Sequence, residues 1–172
     1  MAVAGSVGAR SITAGLVFGA VVGALALATA SRATPVRTDR WAVARLLGLG
    51  VLGGAVLCVP ALLRHSLHAG PVLPLEQYGP WAAGVVVVAV AEESLLRGSL
   101  FAALERRYGA VCAIAVTSVA FGLLHAPLYG WAVVPLDIAV GVWLGALRAS
   151  TRSVIVPATA HALADLAGWW LI

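Results

Sequence analysis

The chain has 172 residues, of which 62% are hydrophobic and 10% charged, and its mean hydropathy is +1.00. So few polar side chains cannot cover a water-soluble globule of this size, which excludes a soluble domain and leaves an integral membrane protein. The net charge of +4 comes with arginine as the sole strong base, and these arginines fall between apolar stretches, as loop charges do, so the partner they imply is the lipid bilayer and no nucleic acid.

Spanning the ~30 Å hydrocarbon core takes about 20 helical residues, and six stretches come near that length: 11–30, 41–63, 80–104, 108–125, 131–147 and 153–172. The expected fold is therefore all-α, a polytopic transmembrane helix bundle of about six spans with an active site in its interior. Trp41, Trp81, Tyr108, Trp131 and the Trp169-Trp170 pair stand at or near the ends of these stretches, where amphipathic rings favour the headgroup level. Arg32, Arg37, Arg40, Arg106, Arg107, Arg148 and Arg152 fall in the first, third and fifth connections. The positive-inside rule then puts both termini outside. A cleaved signal peptide is the alternative reading of the first stretch, from Arg10 and the small-residue Ala28-Thr29-Ala30, but it would put the Arg32 to Arg40 cluster outside. Lysine is absent while alanine, glycine and arginine abound, a composition that suggests a GC-rich bacterial genome and a bacterial cell membrane.

The organisation divides at the irregular Pro71 to Pro80 connection. Residues 1–79 hold two helices and that connection without a chemical motif, and residues 80–172 hold every motif. Cys58 and Cys112 lie inside apolar stretches with no CxxC or Cys/His spacing, as small buried hydrophobes do.

Within the third stretch, Glu92 and Glu93 follow ten apolar residues and stand ahead of Arg97. Ionisable groups at that depth are costly and mark functional sites. Residues four apart share a helix face, so Glu93 lies under Arg97 and the two neutralise one another. Glu92 points about 100° away, free to take a proton from water, with Glu93 as its orienting neighbour. Pairing with Asp137 or with each other, as interhelical glue, is the structural alternative. In the last stretch His161 and Asp165 are also four apart and project from one face. His125 ends the fourth stretch, with Phe121 four residues earlier to pack against its imidazole. Polar groups on three separate helices meet in a bundle interior, because facing lipid would be prohibitive. By depth, Glu92 and Asp165 fall near the midplane and His125 near the outer end of its span.

Two mechanisms fit these residues. In one, His125, His161 and a carboxylate hold Zn²⁺, which lowers the pKa of a bound water and polarises the scissile carbonyl. In the other, Glu92 and His125 activate water without a metal while His161 and Asp165 orient the substrate carbonyl or, with Asp165 protonated, stabilise its oxyanion. No HExxH pair is present, which leans the reading toward the metal-free glutamate mechanism.

At these residues the chain resembles the CPBP family of intramembrane proteases, which includes type II CAAX prenyl endopeptidases and bacteriocin-processing or self-immunity proteins. The EExxxR motif of that family appears as Glu92-Glu93-Ser94-Leu95-Leu96-Arg97, FxxxH as Phe121 to His125, and a histidine followed four residues later by Asn or Asp as His161 to Asp165. The resemblance covers about residues 80–172. It implies a helical membrane bundle and peptide-bond hydrolysis, with Glu92, His125, His161 and Asp165 in catalytic roles. With the spacing arguments added, the expected catalytic set is Glu92, Glu93, His125, His161 and Asp165, with Arg97 and Phe121 structural or orienting and with His125 and His161 as metal ligands should the enzyme be a metalloprotease.

The expected function is an intramembrane endopeptidase acting on a membrane-associated protein or peptide, prenylated substrates included. The competing expectations are a non-catalytic immunity or scaffold protein of the same fold and a small ion transporter. Against the transporter, the apolar spans offer no ladder of ionisable groups reaching both faces.

Overall fold

The computed structural model describes residues 12–29, 39–67 and 78–171, and every regular element among them is helical. Arg10, Arg32, Arg37 and most of the Pro71 to Pro80 connection lie outside the described residues. The elements are α1 (Ile12–Thr29), α2 (Arg40–Leu67), α3 (Tyr78–Glu93), a π-helical segment (Ser94–Leu100), α4 (Phe101–Tyr129), a 3₁₀ turn (Trp131–Val133), α5 (Val134–Thr151) and α6 (Ile155–Leu171). The start of α2 is fixed by Asp39, whose carboxylate accepts the Ala42 amide at 2.6 Å, an N-cap that satisfies one of the helix's orphan donors.

Three helical units are long and apolar enough to cross a membrane: Arg40–Leu63, Tyr78–Tyr129 and Trp131–Thr151. The second runs 52 residues, which as one straight rod at 1.5 Å per residue would be far longer than a ~30 Å core. It breaks instead at Gly109, where φ is 82° and ψ is 169°. That backbone region is open essentially only to glycine. The same conformation recurs at Gly130, with φ 87° and ψ 167°, where α4 ends. The helix carrying His125 therefore extends past the expected end at His125 to Tyr129, so His125 sits one turn inside its helix and not at the tip.

The interior inverts the pattern of a soluble protein. Leu27, Leu52 and Val111 are 80%, 66% and 83% exposed, while Glu92, Glu93, Arg97 and His161 are all buried. Apolar side chains facing outward around a polar interior are what lipid solvent requires. A small apolar core of Leu96, Phe121, Leu144 and Ala160 supports that interior. The hydroxyls of Thr117 and Ser118 bond back to the carbonyls of Ala113 and Ile114 at 2.8 and 2.6 Å, which removes them as unpaired polar groups.

Packing runs α2 on α6, α4 on α5, α1 on α3 and α3 on α6. Close approach comes from small residues, as in membrane bundles generally. At Gly141 a β-carbon would lie 2.8 Å from the Ser118 Cα, so α4 and α5 meet backbone to backbone there.

Replacing Gly109 or Gly130 with alanine should cost about 1–3 kcal/mol, the range for a side chain forced into this backbone region. Gly48→Ala, where a β-carbon meets nothing within 4 Å, should be neutral or slightly stabilising. Thermal unfolding of the three variants in detergent micelles checks the ranking.

Candidate active site

The site begins where α3 passes into the π-helical segment. The Phe101 amide, at the end of that segment, reaches the carbonyl of Leu96, five residues back. Wide turns of this kind recur at functional sites. Just before it stand Glu92 and Glu93, which are 2% and 0% exposed, and within it stands Arg97, also 0% exposed.

A guanidinium with no access to water must find partners within the protein. Arg97 donates from one terminal nitrogen to Glu93 Oε1 at 2.8 Å and from the other to the Gly141 carbonyl at 3.0 Å. Its Cζ also lies 4.9 Å from the centroid of the Phe121 ring, within cation–π range. The backbone of the same turn is held from outside: Arg148 Nε donates to the Arg97 carbonyl at 2.9 Å.

Glu93 Oε1 has a second partner, His161 Nδ1 at 3.1 Å. A carboxylate oxygen that already takes an Arg97 proton is an acceptor, so His161 donates through Nδ1–H and its Nε2 faces the other way. There it meets Asp165 Oδ2 at 3.4 Å and Glu92 Oε2 at 3.8 Å. One carboxylate thus sets the tautomer and direction of the imidazole, as a carboxylate does for a histidine general base. Phe121 presses on the same ring at 5.2 Å, edge-on.

His125 is fixed by a parallel device. Its Nδ1 bonds the Phe121 carbonyl at 2.9 Å, and a carbonyl only accepts, so Nε2 is again the free nitrogen. Its ring lies between Phe121, at 4.5 Å, and Tyr129, stacked at 5.7 Å. Residues 121, 125 and 129 share one helix face because they are four apart.

The structure therefore brings Glu92, Glu93, Arg97, Phe121, His161 and Asp165 into one contiguous cluster, with His125 joined to it through Phe121. Glu93 reaches Arg97 and His161, where the sequence pointed to it as a neighbour orienting Glu92. Asp165 has 43% of its side chain exposed against 3% for Glu92, so the cluster opens on the Asp165 side. Two further groups stand close enough to act on it electrostatically. Asp137 is within reach of His125, Asp165 and His161, and Tyr129 of Asp165, Glu92 and Asp137. Asp137 was visible as an isolated acid in an apolar helix. Tyr129 was signalled only by standing one turn beyond His125.

Zinc would need three ligands from this set. Among the described residues no three His, Cys, Asp or Glu side chains are arranged to hold a metal ion, and His161 Nδ1 is turned to Glu93. The residues as placed do not fit the His125 and His161 zinc site that the sequence left open.

A helical integral membrane protein with ionisable groups gathered in its interior is the class defined so far. A family model described as type II CAAX prenyl endopeptidase Rce1-like matches residues 74–167, more than half of the chain, and the chain belongs to that protease family, as its three motifs led us to expect. No curated protein matches the chain, and no solved structure does.

Arg97→Ala leaves Glu93 buried without its cation, an error that typically costs about 3–5 kcal/mol. We expect a large fall in the unfolding temperature and in the yield of folded protein. Arg45→Ala, on an exposed position of α2, should change neither.

Proposed function

We propose that this chain is an intramembrane endopeptidase that hydrolyses a peptide bond in a membrane-associated protein or peptide, prenylated substrates included, by water activated on Glu92. The observation that carries this reading is the direction of His161: Nδ1 is committed to Glu93 at 3.1 Å, which turns Nε2 toward Glu92 and Asp165. Glu92 and His161 are too far apart at 3.8 Å for a direct hydrogen bond. A water bonded to both at about 2.8 Å would sit at the apex of a shallow triangle above them.

In this mechanism Glu92 takes a proton from that water as the new oxygen bonds to the scissile carbonyl carbon. Asp165 lies on the open side, where its carboxyl in the protonated form donates to the developing oxyanion, while His125, with Nδ1–H given to the Phe121 carbonyl, offers Nε2 as an acceptor for a substrate N–H. Glu92 then returns its proton to the departing amine as the C–N bond breaks, so it ends the cycle as it began. Glu93 and Arg97 touch no reacting atom and act as positioning residues, and Phe121 supports both imidazoles. Residues 80–172 form the catalytic core in this reading.

The same reading carries a topology. α1, α2, the limb from Tyr78 to Tyr108, the limb from Ala110 to Tyr129, α5 and α6 are the six membrane crossings, in a bacterial cell membrane with both termini outside. The bilayer and the protein or peptide substrate are the partners.

Glu92→Gln keeps the shape and removes the proton acceptor. Hydrolysis of a panel of prenylated and unlipidated peptides by protein in proteoliposomes should fall about 10²–10⁴-fold, with the unfolding temperature held near that of the parent. Undiminished turnover by the Gln variant would contradict the assignment.

A further inference from the structure

A sizeable cavity among the described residues lies apart from Glu92. It is an apolar groove of about 1030 Å³ between α1, the outer side of the π-helical segment with the first limb of α4, and the second limb of α4. Leu95, Leu100, Leu123 and Leu124 line it, and Arg106 and Arg148 stand in the same lining. None of Glu92, Glu93, His125, His161 or Asp165 contributes to it. Its contents are therefore separate from the proposed chemistry.

A groove of this kind in lipid is always filled by acyl chains, so the apolar wall alone selects nothing. The arginines do. Residues 105–107 and 148–152 carry Arg106, Arg107, Arg148 and Arg152 against the single acid Glu105, and Glu105 lies within electrostatic reach of Arg148. Arg148 spends Nε on the Arg97 carbonyl at 2.9 Å and lies 5.1 Å from the centre of the Phe101 ring. That leaves its terminal N–H groups, from a guanidinium with five donors, for another acceptor. Arg106 is exposed. Basic pockets beside transmembrane helices bind anionic lipid headgroups.

We propose that this groove is a binding site for an anionic phospholipid, with its acyl chains against the leucines and its phosphate between Arg106 and Arg148. Charge complementarity selects this occupant over a zwitterionic lipid. Because Arg148 also holds the Arg97 carbonyl, a lipid phosphate there would brace the turn that carries the Glu93–Arg97 pair. The lipid would stabilise the protein without touching the reacting groups.

The test uses the full chain, purified and delipidated in a neutral detergent, titrated with phosphatidylglycerol and separately with phosphatidylcholine while the unfolding temperature is followed. Phosphatidylglycerol should raise it saturably and at lower concentration than phosphatidylcholine. Arg106→Gln should weaken the phosphatidylglycerol effect about fivefold, the equivalent of about 1 kcal/mol for one arginine at a lipid surface. Leu123→Trp, at a residue 48% exposed on the groove wall, should weaken it by filling the groove. Both positions lie outside the buried core, so the variants should fold. Equal effects of the two lipids, or an unchanged response in Arg106→Gln, would overturn the proposal. So would displacement of phosphatidylglycerol by a prenylated peptide, which would assign the groove to substrate. None of these readings requires hydrolysis, so the test stands or falls apart from the proposed enzyme activity.

Discussion

One carboxylate oxygen, Glu93 Oε1, accepts from Arg97 at 2.8 Å and from His161 at 3.1 Å, and the rest of the interior depends on that sharing. Without Glu93, Arg97 would be a cation with no access to water and His161 would have no fixed tautomer. Without Arg97, Glu93 would be a buried anion with only an imidazole beside it. Either loss is expensive where solvent cannot reach. The pair joins α3 to α6, and through the Gly141 carbonyl it joins both to α5. The helices are thus tied at the depth where the chemistry is proposed to occur.

That arrangement explains why so polar an interior can sit among helices whose outer faces are leucine and valine. Dispersion and close backbone approach hold the helices together, as at Gly141 against Ser118. The polar cluster adds direction to this otherwise uniform packing. Phe121 is the hinge of the arrangement: its ring contacts His125, His161 and Arg97 at 4.5, 5.2 and 4.9 Å. A single aromatic ring thereby fixes the spacing between the fourth helix and the other two.

Local spacing was legible in the chain and spatial partnership was not. Glu93 and Arg97 are four apart, so their pairing followed from helix geometry alone, and the same holds for Phe121 with His125 and His161 with Asp165. Which glutamate meets His161 depends on how α3 and α6 are rotated against each other, a property of three-dimensional packing. The break between the third and fourth spans was legible from Glu105-Arg106-Arg107, but its position was not: the span expected to start at Tyr108 starts beyond Gly109. The end of α4 at Gly130 moved His125 inward by one turn. The hydrogen bond from Arg148 to the Arg97 carbonyl had no signal at all, since the two residues are 51 positions apart and Arg148 reads as an ordinary loop charge.

Glu93 does two separable things: it neutralises Arg97 and it aims His161. The most direct measurement compares Glu93→Ala with the double variant Glu93→Ala/Arg97→Met, following both unfolding temperature and peptide hydrolysis. The single variant should lose stability, and the double variant should recover most of it because no unpaired charge remains. The double variant should stay inactive although Glu92, His125, His161 and Asp165 are all present. Hydrolysis of peptide by the double variant at the parental rate would show that His161 needs no aiming by Glu93.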